Sequence, residues 1–331
     1  MSFQKLFPAC TRTVALALVL LPSAALAAPN IVVSIKPLEL LVRAVATEDT
    51  RVTALVGPGA NPHNFSMRPS QRQALGEADA IFWVGPELET FMSRLLASDE
   101  FSPRSHAFMS HGEHERHGSR QGKEEHENSD HNAHHHEERN DHEQKDHQDH
   151  DNHGHGDGPD PHIWLDPFIA MDMARQIHRV LTGLPEAETA VLDANLASFE
   201  QSLRLTEARI KEQLAPAREL SLFTYHNAFS HFAEHYDLPL AGVLTINPEL
   251  SPGARHISEV QNKLREARNP CLITEEPFSP DSWKPIVGDI NVTFSIWDPL
   301  ASRITPDANG YIALQQSIAE AVLGCKQNTE T

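Results

Sequence analysis

Three histidines occupy positions from which a loop could aim an imidazole into a cleft. His63 lies in Asn61-Pro62-His63, on the loop expected after a second strand. His162 lies in Asp160-Pro161-His162-Ile163-Trp164-Leu165-Asp166-Pro167, just before an expected helix, and His226 follows a strand ending Thr224-Tyr225. Proline or aromatic neighbours pin each of them. Three neutral imidazoles with a fourth position for a carboxylate or water make a zinc-type site. A single turn histidine is more often just hydrogen-bonded, so it is the threefold recurrence that points to a metal.

The other histidines divide by context. His231 and His235 stand one helical turn apart and could chelate a metal together. The apolar side of that helix, Phe229, Phe232, Ala233 and Tyr236, is expected to turn them to solvent instead. His178 and His256, on amphipathic helices, read as surface or hydrogen-bonded residues. Asp298, in Ile296-Trp297-Asp298-Pro299-Leu300, is the best carboxylate for a fourth ligand, and an Asx-turn before Pro299 is the competing reading.

Fourteen of the 21 histidines fall between His106 and His155, and Ala133 is the only apolar side chain between Ser110 and Gly158. Here His131, His134, His135, His136, His142, His147, His150, His153 and His155 sit among acids. With nothing to bury, residues 110–158 are expected to be a disordered insertion. Imidazole with carboxylate in such a strand is a loose, multi-site ligand for borderline metals. The alternative is a merely solvating polar segment.

The formal charge of −19 argues against nucleic acid and anionic membrane surfaces and suits a cation ligand. Residues 1–27 read as a signal peptide: Lys5 and Arg12 are basic, Val14 to Leu21 are apolar but too few to span a bilayer, and Ala25-Leu26-Ala27 is a cleavage site. The mature chain is then exported. Cys10 leaves with the signal, and Cys271 with Cys325 remain in an oxidising compartment, which favours a disulfide over a metal pair.

The elements that must position these groups alternate. Strands are expected at 31–35, 51–57 and 79–84 and helices at 37–46, 69–77 and 86–97, a βαβ rhythm that implies a parallel sheet. A long helix follows from Pro185, with apolar residues at Leu192, Leu196, Phe199, Leu203, Ile210 and Leu214 in steps of mostly three and four, and Pro216 ends it. The rhythm returns with strands at 221–225, 240–246, 271–275 and 291–296, and helices at 228–236, 253–267, 280–288 and 311–323. The expected class is α/β: an N-terminal lobe (28–184, with the 110–158 insertion), an interdomain helix (185–215) and a C-terminal lobe (216–331). The metal site would lie in the cleft at the carboxyl ends of the strands.

Three runs carry a resemblance: Gly59-Ala60-Asn61-Pro62-His63-Asn64-Phe65-Ser66-Met67-Arg68-Pro69-Ser70, His162-Ile163-Trp164-Leu165-Asp166-Pro167, and Tyr225-His226-Asn227-Ala228-Phe229. They resemble the ligand motifs of the cluster A-I solute-binding proteins, receptors of metal ABC importers, and above all of its zinc receptors. The likeness extends to Val84-Gly85-Pro86-Glu87, Asn247-Pro248-Glu249 with Pro252-Gly253-Ala254, Asp298-Pro299-Leu300, and a cysteine pair placed like Cys271 and Cys325. The resemblance implies His63, His162 and His226 as first, second and third ligands, Asp298 at the fourth position, and a rigid interdomain helix that limits closure. Manganese-specific relatives carry glutamate at the third position, so His226 points to zinc.

The expectation is a periplasmic, monomeric receptor that holds one zinc ion tightly and more zinc weakly on the insertion. It would pass zinc to the membrane permease and ATPase of an ABC importer. A manganese or iron receptor of the same family, or a periplasmic zinc buffer, are the alternatives. A zinc hydrolase is disfavoured, because no H-E-x-x-H motif is present and no carboxylate is placed as a general base.

Overall fold

Each half of the chain begins with a short strand that is buried on both faces. In the computed structural model, which describes residues 28–109, 159–245, 253–275 and 280–327, these are β1 (Asn30–Val33) and β5 (Ser221–His226). The expected signal peptide (1–27), the expected insertion with its nine named histidines, and Asn247-Pro248-Glu249 lie outside the described residues.

The first sheet adds β2 (Arg51–Ala54), β3 (Ala80–Trp83) and β4 (Ser105–Ala107) in the order β2-β1-β3-β4. The second adds β6 (Leu240–Thr245), β7 (Pro270–Glu275) and β8 (Thr293–Trp297) in the order β6-β5-β7-β8. All six pairings are parallel, so the two lobes repeat one topology. The order in which strands are added reverses at β1/β3 and β5/β7, and ligands of open α/β sheets gather at the carboxyl side of such switch points. β4 was not anticipated. Ser105-His106-Ala107 has no apolar alternation, and its pairing with β3 supplies what its sequence does not.

Around the first sheet lie α1 (Lys36–Val45), α2 (Pro69–Glu77), α3 (Thr90–Leu96) and α4 (Pro167–Thr182). Prolines open α1, α2 and α4 at their first turns, where a missing N–H costs no hydrogen bond. α3 begins later than the expected Pro86, because Glu89 folds back to accept the Val84 and Gly85 amides at 3.2 and 2.9 Å.

The long helix, α5, spans Thr189–Leu214, 26 residues or about 39 Å. It starts four residues after the expected Pro185. There the chain turns through Glu186 at φ +58°, so Pro185 belongs to the turn between α4 and α5. The second lobe carries α6 (Ser230–His235), α7 (Ala254–Glu266), α8 (Pro280–Val287) and α9 (Gly310–Gln327).

α5 does not join the lobes alone. It packs on α1, α4 and α9, and α9 in turn packs on α1 as well as on β7 and β8. Gly310 makes that crossing possible: a Cβ there would lie 2.8 Å from the Thr305 carbonyl oxygen and 2.7 Å from the Leu40 side chain. One apolar cluster therefore runs through both lobes, from Ile31 and Leu40 to Phe229, Tyr311 and Ile318. Cys271 at the start of β7 and Cys325 in α9 form a disulfide with Cα atoms 5.8 Å apart, fastening that helix to the second sheet. No helix among the described residues is long and apolar enough to cross a membrane.

Candidate metal centre

His63 hangs on the loop between β2 and α2. Gly59 turns that loop at φ +75°, and Asn61 Oδ1 accepts the His63 amide at 3.0 Å. The ring's Nε2 is buried without a hydrogen-bond partner. His162 begins a single 3-10 turn, Ile163–Leu165, that leads into α4. Asp160 Oδ1 accepts its backbone amide at 3.0 Å and lies 2.7 Å from its Nδ1. His226 is the last residue of β5, and its Nδ1 lies 2.8 Å from Oε1 of Glu275, the last residue of β7.

A carboxylate can only accept, so it selects the tautomer with the proton on Nδ1 and leaves the Nε2 lone pair free for a metal. His162 meets this geometry with a hydrogen bond to Asp160, and at His226 the Glu275 carboxylate stands beside Nδ1 at ion-pair distance and favours the same tautomer by its charge; the two Nε2 atoms lie 3.3 Å apart. Two lone pairs so close repel unless a cation stands between them. Zinc–nitrogen bonds of about 2.05 Å at a tetrahedral angle place the two nitrogens roughly 3.3 Å apart. His63 completes the set, with ligand atoms of the three residues all within 4.8 Å of one another. The donor set and its spacing fit zinc.

Burial keeps the imidazoles of His63 and His162 neutral. It lowers the pKa of His63 to about 3, and the neighbouring His162 and His226 add to the effect. Burial also lowers that of His162, against the opposing pull of Asp160. Neutral imidazole is the metal-binding form. With Glu275, Trp164 and Asp298 the three rings line a pocket of about 110 Å³ between the lobes. A larger hollow of about 320 Å³, between Ala28 and Leu192, has no histidine or cysteine in its lining.

Asp298 reaches this pocket, but its carboxylate is spent on its own turn. Oδ1 accepts from the Leu300 amide at 3.0 Å and Oδ2 from the Ser302 amide at 2.5 Å. The Asx-turn reading describes it, and the three-histidine group forms without it. Glu275, 6 % exposed, is the carboxylate that sequence reasoning missed. Only part of its signal was in the sequence: it ends the expected strand 271–275, while the place of that strand beside β5 comes from the fold. Asp160, quoted in the His162 run, was likewise given no role.

His231 and His235 require a correction, because neither points to solvent. His231 Nε2 donates to the Asp160 carbonyl at 3.0 Å. His235, its side chain 8 % exposed, stands between Asp166 (3.2 Å) and Glu207 (3.3 Å). α6 lies against the Asp160–Asp166 segment and α5, so the side carrying His231 and His235 is covered and Glu234 takes the exposed side. His178 pairs with Asp193 at 2.7 Å and His256 Nε2 with the Val243 carbonyl at 3.2 Å.

Comparison with known proteins decides the family. The family model of the zinc-uptake complex component A, periplasmic (ZnuA), matches residues 31–325. The chain belongs to the ZnuA family. It is 32 % identical over 309 residues to the high-affinity zinc uptake system protein ZnuA of Yersinia pestis, covering 91 % of this chain and 92 % of that one. It is also 32 % identical over 311 residues to the ZnuA of Haemophilus ducreyi, covering 94 % and 97 %. A crystal structure of ZnuA superposes with a TM-score of 0.63 at 22 % identity, over 89 % of this chain and 99 % of that one. The periplasmic zinc-binding protein TroA from Treponema pallidum gives 0.65 at 18 %, over 89 % and 99 %. These two likenesses establish the two-lobed fold. ZnuA-family members are solute-binding receptors and not enzymes.

Proposed function

We propose that the chain is a periplasmic receptor that captures Zn²⁺ on His63, His162 and His226 and delivers it to the permease and ATPase of a zinc ABC importer. One observation carries this reading: two imidazole nitrogens 3.3 Å apart, each backed by a carboxylate on the opposite ring nitrogen, with a third imidazole above them. Full-length likeness to high-affinity zinc uptake proteins supports the transport role. The signal-like residues 1–27 support export; we take the receptor to act as a monomer.

One zinc ion is held tightly, with the fourth position open to water while Asp298 remains in its turn. The 110–158 insertion adds several weak, exchangeable sites that raise the local zinc concentration at the cleft. All-nitrogen ligation disfavours manganese, a harder ion that prefers oxygen. Competition between Zn²⁺ and Mn²⁺ for the mature protein, with metal analysis of the loaded form, tests the assignment. Preference for Mn²⁺, or no tightly held metal, overturns it.

A further inference from the structure

His231 and His235, outside the ligand set, hold the segment that carries His162. His231 donates to the Asp160 carbonyl, at one end of that segment. His235 Nδ1 lies 3.2 Å from Asp166 Oδ2, at the other end, while its Nε2 lies 3.3 Å from Glu207 Oε1 on α5. Between those ends the turn is stiff: His162 O accepts from Leu165 N at 3.1 Å and Ile163 O from Asp166 N at 3.3 Å. α6 itself starts four residues after His226.

We propose that His231 and His235 are positioning residues: one turn apart on α6, they grip both ends of the Asp160–Asp166 segment and thereby set the spacing of His162 from His226. The inference rests on the zinc-receptor reading and deepens it. It makes His162 and His226 a fixed two-imidazole platform built on α6, although their segments lie far apart in sequence. The second lobe reinforces the grip through α9, where Tyr311 donates to the Trp164 carbonyl at 2.7 Å and Gln315 to the Leu165 carbonyl at 3.1 Å.

His235 meets two carboxylates on opposite nitrogens, so both contacts are satisfied only when both nitrogens carry protons. Burial opposes that charge, but Asp166 and Glu207 outweigh it and raise the pKa of His235. Tyr236, whose phenol burial keeps neutral, lies edge-on to the ring at 4.7 Å, as does Phe168 at 4.7 Å. A raised folded-state value means that the clasp is complete below the ordinary histidine range near 6.5 and is lost as pH rises through the folded value. Tight zinc retention should weaken over that same titration.

The test is the dissociation rate of the tight zinc ion, read by chelator challenge across the His235 titration, with that titration followed by NMR of its ring. In the unaltered protein the rate should rise as His235 loses its proton. Glu207→Gln keeps the packing and removes one carboxylate, so it should move the rise to lower pH. His231→Leu should speed dissociation roughly tenfold, the scale of one lost buried hydrogen bond. His231→Gln, which can still donate, should restore most of the rate. Should the unaltered protein release zinc at a constant rate while His235 titrates, the inference fails even if every variant misfolds. Absence of any tight zinc in the unaltered protein would instead sink the zinc-receptor reading.

Discussion

His162 and His226 meet Nε2 to Nε2 at 3.3 Å, each with a buried carboxylate at its Nδ1, Asp160 at 2.7 Å and Glu275 at 2.8 Å. The pair is a carboxylate–histidine arrangement repeated on two elements that are distant in sequence. Replacing one orienting carboxylate by its amide weakens its hold on tautomer and ring direction without emptying the space. Glu275→Gln should therefore lower zinc affinity by roughly 10–100-fold while leaving one zinc per chain. A chelator-competition titration checks this, and unchanged affinity would assign Glu275 to structure alone.

The three ligands and Asp298 should separate cleanly. His63→Ala, His162→Ala and His226→Ala each remove one of three nitrogen donors, and each should strip the tight zinc from a folded protein, read by metal analysis beside circular dichroism. Asp298→Ala should retain zinc. Its cost falls on the turn, where two backbone amides lose their acceptor, destabilising the protein by about 1–3 kcal/mol.

Proton linkage should be muted for two of the ligands. Because burial holds His63 at about 3 and keeps His162 below the ordinary value, neither carries a proton to be displaced near neutrality. Zinc binding at about pH 6 should accordingly release fewer than two protons per ion, measured by calorimetry in buffers of different ionisation enthalpy. The same depressed values cost the metal-free fold: its stability should fall as pH drops below about 6.5, where the unfolded histidines bind protons that the folded ones refuse. Release of three protons would place solvent-like imidazoles at the site.

The disulfide closes a separation of 54 residues between β7 and α9. Thiol labelling of the unfolded, unreduced mature chain should find no free cysteine. Reduction should destabilise the protein by roughly 4 kcal/mol in the chain-entropy picture, read by denaturant melts with and without reductant.

Deleting residues 110–158 should lower the number of zinc ions bound per chain and leave the tight site at near-native affinity, because the three ligands form their group without it. Loss of the tight site on deletion would mean that the insertion supplies a ligand.

Local chemistry in the sequence determined a good deal by itself. Prolines at first turns and apolar runs of strand length placed most helices and strands, and the motif residues around His63, His162 and His226 singled out the three histidines that the fold brings together, since these depend on neighbours in the chain. Tertiary structure alone decided which groups back the ligands. Glu275 stands beside His226 because β7 lies beside β5, and Asp298 accepts the amides of its own turn, Leu300 and Ser302. His231 and His235 looked solvent-facing from the periodicity of one short helix. They are held inside because α6 is flanked by Asp160, Asp166 and Glu207, and pairings across tens of residues leave no trace in local pattern.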